Sequence, residues 1–364
     1  MVTDPSGRRY FVPGVWPGDI GVFQPSATVG RYGRARLVER ITSSPDRVAP
    51  VCPHLGFTTG MCGGCPWMIA SCPSQAAEKE RQIRHQLNRS GLLLPHVRIA
   101  PLMVSPKVFG YRNRAQFKTD GRLLGYVSPG TRTIAPISAC PVLDAPCRDL
   151  LSRLLGTLPN PAWVPPKGYD WQYIDIDSDT RLDSLIMNRR RLFRQGNTDQ
   201  NRRMQAWLFD QLKKRVPSGP VLELFAGSGN FTQILATQAI HPVLAVEAAG
   251  AAMDALTEKQ LPGVRTLRAD IYKKRTWEGI WSALPDPCVL VMDPPRQGFG
   301  AIKHFLTRYP RIHTLIYFSC CLPSFCRDAA FITRAGFDLQ RVQPIDLFPH
   351  TPHVELMTVF HARS

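Results

Sequence analysis

Residues 220–231 read Pro-Val-Leu-Glu-Leu-Phe-Ala-Gly-Ser-Gly-Asn-Phe, and Thr-Gln-Ile-Leu-Ala-Thr-Gln follows at 232–238. An apolar run, a Gly-x-Gly turn and a helix-forming stretch are the opening of a nucleotide-type α/β unit. Gly227 and Gly229 allow the backbone to turn tightly and to approach a ligand at the carboxyl edge of a sheet. The third glycine of a dinucleotide fingerprint is absent, because position 232 is Thr. Downstream, the apolar runs HPVLAVE, GVRTLRAD, CVLVMDPP, TLIYFSC, FDLQRVQPID and VELMTVFHA alternate with helical stretches. That alternation predicts a mostly parallel α/β sheet from about residue 200 onward.

Two acids sharpen the reading. Glu247 closes the second run, 18 residues past Gly229, where a carboxylate can accept both hydroxyls of a ribose. Asp270 closes the third run, near where an adenine would lie. A lone Gly-x-Gly turn is more often structural than functional. Strand, Gly-x-Gly, helix and two strand-terminal acids together predict a class I S-adenosylmethionine site on a Rossmann-like domain.

The next two runs end in chemistry. Val291-Met292-Asp293-Pro294-Pro295-Arg296 puts a carboxylate on a rigid turn, and Phe318-Ser319-Cys320-Cys321 puts a thiol at a strand end. A cysteine at that edge is placed for nucleophilic work, although a free thiol is commonly just a buried apolar group. The last region, Asp346 to Glu355, reads DLFPHTPHVE and ends in an acid that opens the final apolar run. Alone, such an acid would simply face solvent.

The remaining composition bounds the partner. The chain has 45 Lys+Arg against 28 Asp+Glu, a formal +17, and that field draws polyanions such as nucleic acid. A hydrophobic fraction of 44% with 20% charged residues belongs to globular protein and excludes a disordered chain. No apolar run approaches the ~18 residues of a membrane span. The first 15 residues lack the apolar core of a signal peptide, so the expected location is the cytoplasm. Ten cysteines in a reducing compartment point to metal, cluster or nucleophile rather than disulfides.

Upstream of the α/β region, residues 1–50 are basic and turn-rich, with short β-like runs (RYFVP, DIGVFQ, RARLVER) that predict a small β-barrel or its remnant. Residues 51–195 predict an α+β module with a helix from about Ser74 to Asn88 and strands in YRNRAQFKT, RLLGYVS, QYIDIDS and SLIMNRRR. LPNPAWVPPKGYDW, at 158–171, predicts a surface loop. Residues 196–364 complete the α/β domain. Cys52, Cys62, Cys65 and Cys140 form a set with a tight Cys-Gly-Gly-Cys core, and four thiolates suit zinc or a [4Fe–4S] cluster. YRNR at 111–114 and NRRRLFR at 188–194 interleave basic and aromatic residues as RNA-binding surfaces do, or are merely solvated charge.

Gln195 within FRQGN, then ELFAGSGNF, Val246-Glu247, Ala269-Asp270, DPPRQG, Ser319-Cys320 and FPHTPHVE follow the order of motifs in the uracil-5 RNA methyltransferase family. The chain resembles most the iron–sulfur members that act on 23S ribosomal RNA, over nearly its whole length. The resemblance implies S-adenosylmethionine as methyl donor and RNA as partner, ribosomal RNA before transfer RNA, for a monomer. It implies Cys320 as nucleophile, because Arg327-Asp328 follow it at the family spacing and Cys321 is one position off. It implies Glu355 as general base, with Gln195, Phe225, Asn230, Glu247, Asp270 and Asp293 on cofactor- or base-contacting positions beside Gly227 and Gly229. CPHLGFTTGMCGGC and CPVL likewise imply a [4Fe–4S] cluster on Cys52, Cys62, Cys65 and Cys140. The nine residues between the first two cysteines exceed the family spacing, which keeps zinc, a lost cluster, and Cys72 or Cys147 as a substitute ligand in view. Cys321-Leu322 stands where the family has Asn-Pro, and the N-terminal barrel lacks a counterpart of the family's first strand. The same residues would also serve a transfer-RNA enzyme, or a catalytically inactive RNA-binding or ribosome-assembly protein that kept the fold.

Overall fold

The structure, a computed structural model, describes residues 2–29, 32–215, 219–237 and 242–363. In chain order, β1 (Val2–Thr3), β2 (Arg9–Phe11), β3 (Ile20–Val29) and β4 (Tyr32–Thr42) come first, then α1 (Cys72–Arg89) and β5 (Arg98–Ile99). Next are β6 (Arg114–Thr119), β7 (Leu124–Val127), β8 (Ile134–Pro136), α2 (Ala145–Leu155) and β9 (Gln172–Asp177). After α3 (Thr198–Arg215), strand and helix alternate: β10 (Val221–Leu224), α4 (Thr232–Thr237), β11 (Val243–Glu247), α5 (Gly250–Thr257) and β12 (Val264–Arg268). The alternation continues with α6 (Trp277–Ala283), β13 (Val289–Met292), α7 (Ile302–Leu306), β14 (Thr314–Ser319) and α8 (Leu322–Arg334), and closes on β15 (Phe337–Ile345) and β16 (Glu355–Ala362).

The chain divides into two compact units. The first comprises Met1–Ala77, Lys107–Arg191 and Pro349–Pro352. Its N-terminal strands form a sheet in the order β1-β2-β4-β3 over a small core of Tyr10, Val12 and Ala35. The expected barrel is therefore an open sheet among the described residues, with β1 and β3 as its edges. A long β3–β4 hairpin and a two-residue β1 leave too little strand to wrap round and close. The second sheet, β8-β7-β6-β9, is antiparallel. One of its faces packs Ala115, Phe117, Ile174 and Ile176 against Leu150, Leu151 and Leu154 of α2. SLIMNRRR does not form the expected strand. Its Asn188 adopts φ 58°, a left-handed conformation that breaks an extended run, and a single backbone bond to Tyr173 O plus side-chain bonds, rather than a ladder, tie the segment to β9. The 158–171 stretch is the expected loop, with a short 3₁₀ turn at Pro161–Trp163 that buries Trp163.

The second unit comprises Glu78–Pro106, Leu192–Phe348 and His353–Ser364. Its eight-stranded sheet has the order β12-β11-β10-β13-β14-β16-β15-β5. β10 to β14 are parallel, and β16 runs antiparallel to both β14 and β15. β10, β13 and β14 are buried at every residue, as expected of strands covered on both faces. Alternate residues feed different cores: Leu222, Leu290 and Leu315 join one, Val221, Val289 and Ile316 the other. No helix among the described residues is long and apolar enough to cross a membrane.

Candidate active site

Parallel strands bring their carboxyl ends to one edge, so Phe225, Glu247, Asp270, Asp293 and Cys320 follow or end β10, β11, β12, β13 and β14 along a single rim. β16 runs the other way and therefore begins at that rim. Its register against β14 pairs Ser319 with Leu356, and one further step along that register puts Cys320 opposite Glu355.

The turn after β10 is built for close approach. Phe225, Gly227 and Gly229 all have positive φ, of 62°, 56° and 87°. A side chain at Gly229 would lie 2.5 Å from Leu256 Cδ1, whereas at Gly227 only the backbone conformation requires glycine. Glu247 holds this turn: its carboxylate accepts N–H bonds from Gly227 (3.0 Å), Ala248 (2.8 Å) and Ala249 (2.7 Å). A carboxylate has about four lone-pair sites, so acceptor capacity remains for a ribose. Asp270 accepts from Tyr272 N–H and pairs with Lys273 at 3.1 Å, an ion pair that holds its carboxyl below the usual range. Phe225, Tyr272 and Phe299 form an aromatic group alongside, with centroids 5.5–6.3 Å apart. Asn230 is engaged by α3: its amide exchanges two 2.9 Å bonds with Asn201, and Gln205 donates to it at 3.0 Å. Gln195 is buried, one residue before Gly196, which abuts Phe348, and two before Asn197, which donates to Leu347 O.

Burial and crowding of acids dominate the electrostatics. Burial pushes Asp293 up to about 7 and, with Asp293 adding its charge, Glu355 up to about 8. Burial, then Glu355 and Asp293, push the Cys320 thiol up to about 11. Arg296 opposes the rise at both Cys320 and Glu355, and its guanidinium approaches His353 Nε2 at 3.3 Å. The thiol is thus protonated at rest, next to carboxyl groups whose proton affinity lies near neutrality, which is the setting for proton relay.

Cys321 caps α8 in the extended conformation of an N-cap but without a side-chain bond. Hydroxyls take over: Ser319 Oγ accepts from Cys321 N–H at 3.3 Å, and Ser324 Oγ donates to Cys321 O at 3.0 Å. Pro323 lies in the first turn, so the departure from Asn-Pro leaves the turn after Cys320 fixed. Arg327-Asp328 have a visible task. Buried Asp328 accepts from Phe299 N–H and from Tyr317 Oη, and Arg327 pairs with it at 2.7 Å while donating to Gln297 O. The pair ties α8, which follows Cys320, to the turn that follows Asp293.

Against known proteins, a family model described as tRNA (Uracil-5-)-methyltransferase matches residues 181–261. An uncharacterised RNA methyltransferase of Nitrosomonas europaea is 40% identical over 98% of this chain and 91% of its own. The chain belongs to the RNA (uracil-5-)-methyltransferase family. A second family member, the 23S rRNA (uracil(1939)-C(5))-methyltransferase RlmD of Chromohalobacter salexigens, is 27% identical over 98% of this chain and 85% of its own. The fold is shared with Pyrococcus abyssi tRNA (uracil-54, C5)-methyltransferase, solved in complex with S-adenosyl-L-homocysteine. The TM-score is 0.70 at 19% identity, covering 96% of this chain and 95% of that one. The α/β unit is accordingly a class I methyltransferase fold.

Four further residues near the site were given no role by the sequence reading, although Glu223, Arg296 and His353 lie inside the motifs quoted for the family. Tyr272, Arg296 and His353 stand beside the expected site residues Asp270, Asp293 and Glu355. Glu223 on β10 is buried, its Oε2 lacks a hydrogen-bond partner among the described residues, and burial pushes it up to about 8.

The cysteine set lies in the first unit. Burial, and then the charges of neighbouring thiols, Cys52 among them, push up Cys62, Cys65 and Cys140, Cys65 to about 12. His54 Nε2 accepts from Ser138 N–H at 3.0 Å, joining the CPH loop to the segment before Cys140. Gly63 has to be glycine, because a Cβ there would lie 2.2 Å from Pro129 Cγ. Among the described residues, no three His, Cys, Asp or Glu side chains close on a point where a single ion could sit. Cys147 is fully buried in the α2 core beside its N-cap Asp144, and Cys62 and Cys140 pack against the same core.

Proposed function

We propose that the protein transfers a methyl group from S-adenosylmethionine to carbon 5 of a uridine in RNA, in 23S ribosomal RNA before any other. The observation that carries this reading is the β14–β16 register, which sets Cys320 opposite Glu355 on the rim that holds the glycine turn. The donor supplies an electrophilic methyl on a sulfonium. Uracil C5 is too weak a nucleophile to take it unaided, so Cys320 adds to C6 and the ring becomes an enolate whose C5 attacks the methyl. The thiol gives up its proton first, and the carboxyl pair of Asp293 and Glu355 is the acceptor within reach. Glu355 then removes the C5 proton, and the thiol leaves. In this scheme Asp293 takes the thiol's proton and, as the acid, donates to a uracil carbonyl oxygen, Arg296 offsets the enolate's charge, and Glu355 stays ionised for the C5 proton. Gln195, Phe225, Gly227, Gly229, Asn230, Glu247 and Asp270 frame the donor site.

Ribosomal RNA is favoured by the RlmD relatives, which match this chain over 98% or more of its length. A transfer-RNA target is the second reading, favoured by the description of the matching family model. Residues 1–50 serve RNA contact, 51–195 carry the cysteine set and 196–364 the chemistry, in a cytoplasmic monomer. Incubating the protein with S-adenosylmethionine and either RNA from cells lacking it should yield 5-methyluridine at one new position on nucleoside analysis. RNA binding without any methyl transfer would leave the inactive-homologue reading standing.

We infer further that Cys52, Cys62, Cys65 and Cys140 hold a [4Fe–4S] cluster, with zinc as the alternative. Support comes from the Cys-Gly-Gly-Cys pattern, from Cys52, Cys62 and Cys140 lying near enough to act on the charge of Cys65, and from Tyr126, which lies within hydrogen-bonding reach of Cys140. Anaerobically purified protein should carry about four iron atoms per chain and absorb in the visible. One zinc and no colour would replace the cluster with an ion.

A further inference from the structure

The open face of the second sheet holds cations that the chemistry above does not use. β6 and β9 pair Arg114 with Asp177, Gln116 with Asp175 and Lys118 with Tyr173, all on the side away from the α2 core. The 188–191 segment lies along this face. Asn188 N–H donates to Tyr173 O at 2.9 Å, Tyr173 Oη to Asn188 O at 2.6 Å, and Arg191 N–H to Asp175 Oδ2 at 3.0 Å. The acids of the face are spent internally: Asp175 pairs with Arg114 at 2.6 Å, and Asp177 with Arg191 at 3.5 Å.

What remains is positive. Lys118, Arg189 and Arg190 have no ion-pair partner among the described residues, and both arginines are exposed. Lys118 Nζ lies 4.6 Å over the Tyr173 ring and donates to Gln116 Oε1 at 2.8 Å, so the ammonium is held in place rather than loose in solvent. Burial first, and then the charge of Arg190, push Lys118 below the ordinary lysine value, with Asp175 opposing in part. Cations held together with no acid to spare repel each other until an anion arrives from outside.

We propose that Lys118 and Arg190 form a clamp for the phosphate backbone of the RNA substrate. The assignment rests on the RNA-methyltransferase reading. RNA is favoured over an acidic protein by the +17 charge of the whole chain. The face positions RNA without reading its sequence, because phosphates carry no base identity.

The test uses the full chain and a fluorescein-labelled, uridine-rich single-stranded RNA, with anisotropy followed through a salt titration. A Lys118→Gln/Arg190→Gln protein should bind about 5–10-fold more weakly, and its slope of log affinity against log salt should be shallower by about 1.4. An Arg311→Gln/Arg363→Gln protein loses the same charge from residues already paired with Asp286 and Asp338, and should keep the wild-type slope. In methyl transfer, KM for RNA should rise while kcat at saturating RNA holds, with thermal melting unchanged. Equal slopes for the two double variants overturn the clamp, as does loss of polyglutamate binding with RNA binding intact. If wild-type protein methylates no RNA yet the slopes differ as stated, the methyltransferase reading fails and the clamp stands.

Discussion

A Cys320→Ala protein should lose methyl transfer by about 10⁴-fold or more, and should form no covalent species with RNA on a denaturing gel. The size of the loss follows from the role. Without a sulfur adding to C6, no enolate forms, and no neighbouring group at the rim can replace it. Cys321→Ala is the informative companion, because Cys321 faces a different task as the N-cap of α8 and its backbone contacts do not need its thiol. That protein should retain activity within a few-fold. Wild-type turnover in Cys320→Ala, or loss in Cys321→Ala alone, would move the chemistry to the other sulfur.

Glu355→Gln should give a different failure. The thiol still adds and the methyl still transfers, but the C5 proton stays, so a stable protein–RNA adduct should accumulate while turnover falls about 10²–10⁴-fold. The same variant has a stability signature whose sign can be worked out. Burial raises Glu355 from 4.5 to about 8 in the folded protein, so the native state holds this proton more tightly than the unfolded chain does. Folding stability contributed by the group is therefore lost as pH rises from about 4.5 to about 8, and Gln is spared that loss. Urea unfolding at pH 9 should find Glu355→Gln more stable than wild type by about 2–4 kcal/mol, with the difference shrinking toward pH 5. Wild-type kcat should climb over the same interval, since the base has to be ionised to work. An equal or lower stability for Glu355→Gln at pH 9 would mean that the carboxyl is charged and well paired in the native protein.

Much of this was legible in the amino-acid sequence, for physical reasons. β10, β11, β13 and β14 are covered on both faces, so they read as unbroken apolar runs, and the glycines between β10 and α4 announce a turn that other residues resist. Glu247, Asp293 and Cys320 were legible because strand ends in a parallel sheet share an edge. The antiparallel placement of β16 was not, although it is what brings Glu355 to Cys320, since pairing partners far apart in the chain leave no local mark. SLIMNRRR misled because its apolar residues suggested a strand, while Asn188 and Asp175 organised it through side-chain bonds. Arg296, His353 and Glu223 were quoted within the family motifs but given no role, for a related reason. Their significance comes from which charges surround them, and charge neighbourhoods form only on folding.

The register between β14 and β16 also limits how this enzyme can change. Side chains on a strand alternate between faces, so losing or gaining a single residue inside β16 would turn Glu355 away from Cys320 and invert the packing of every residue after it. No rotamer adjustment repairs such a shift. Length variation is therefore excluded from the paired stretch of β14 and β16. Related chains that differ in size should keep the spacing within the two strands fixed.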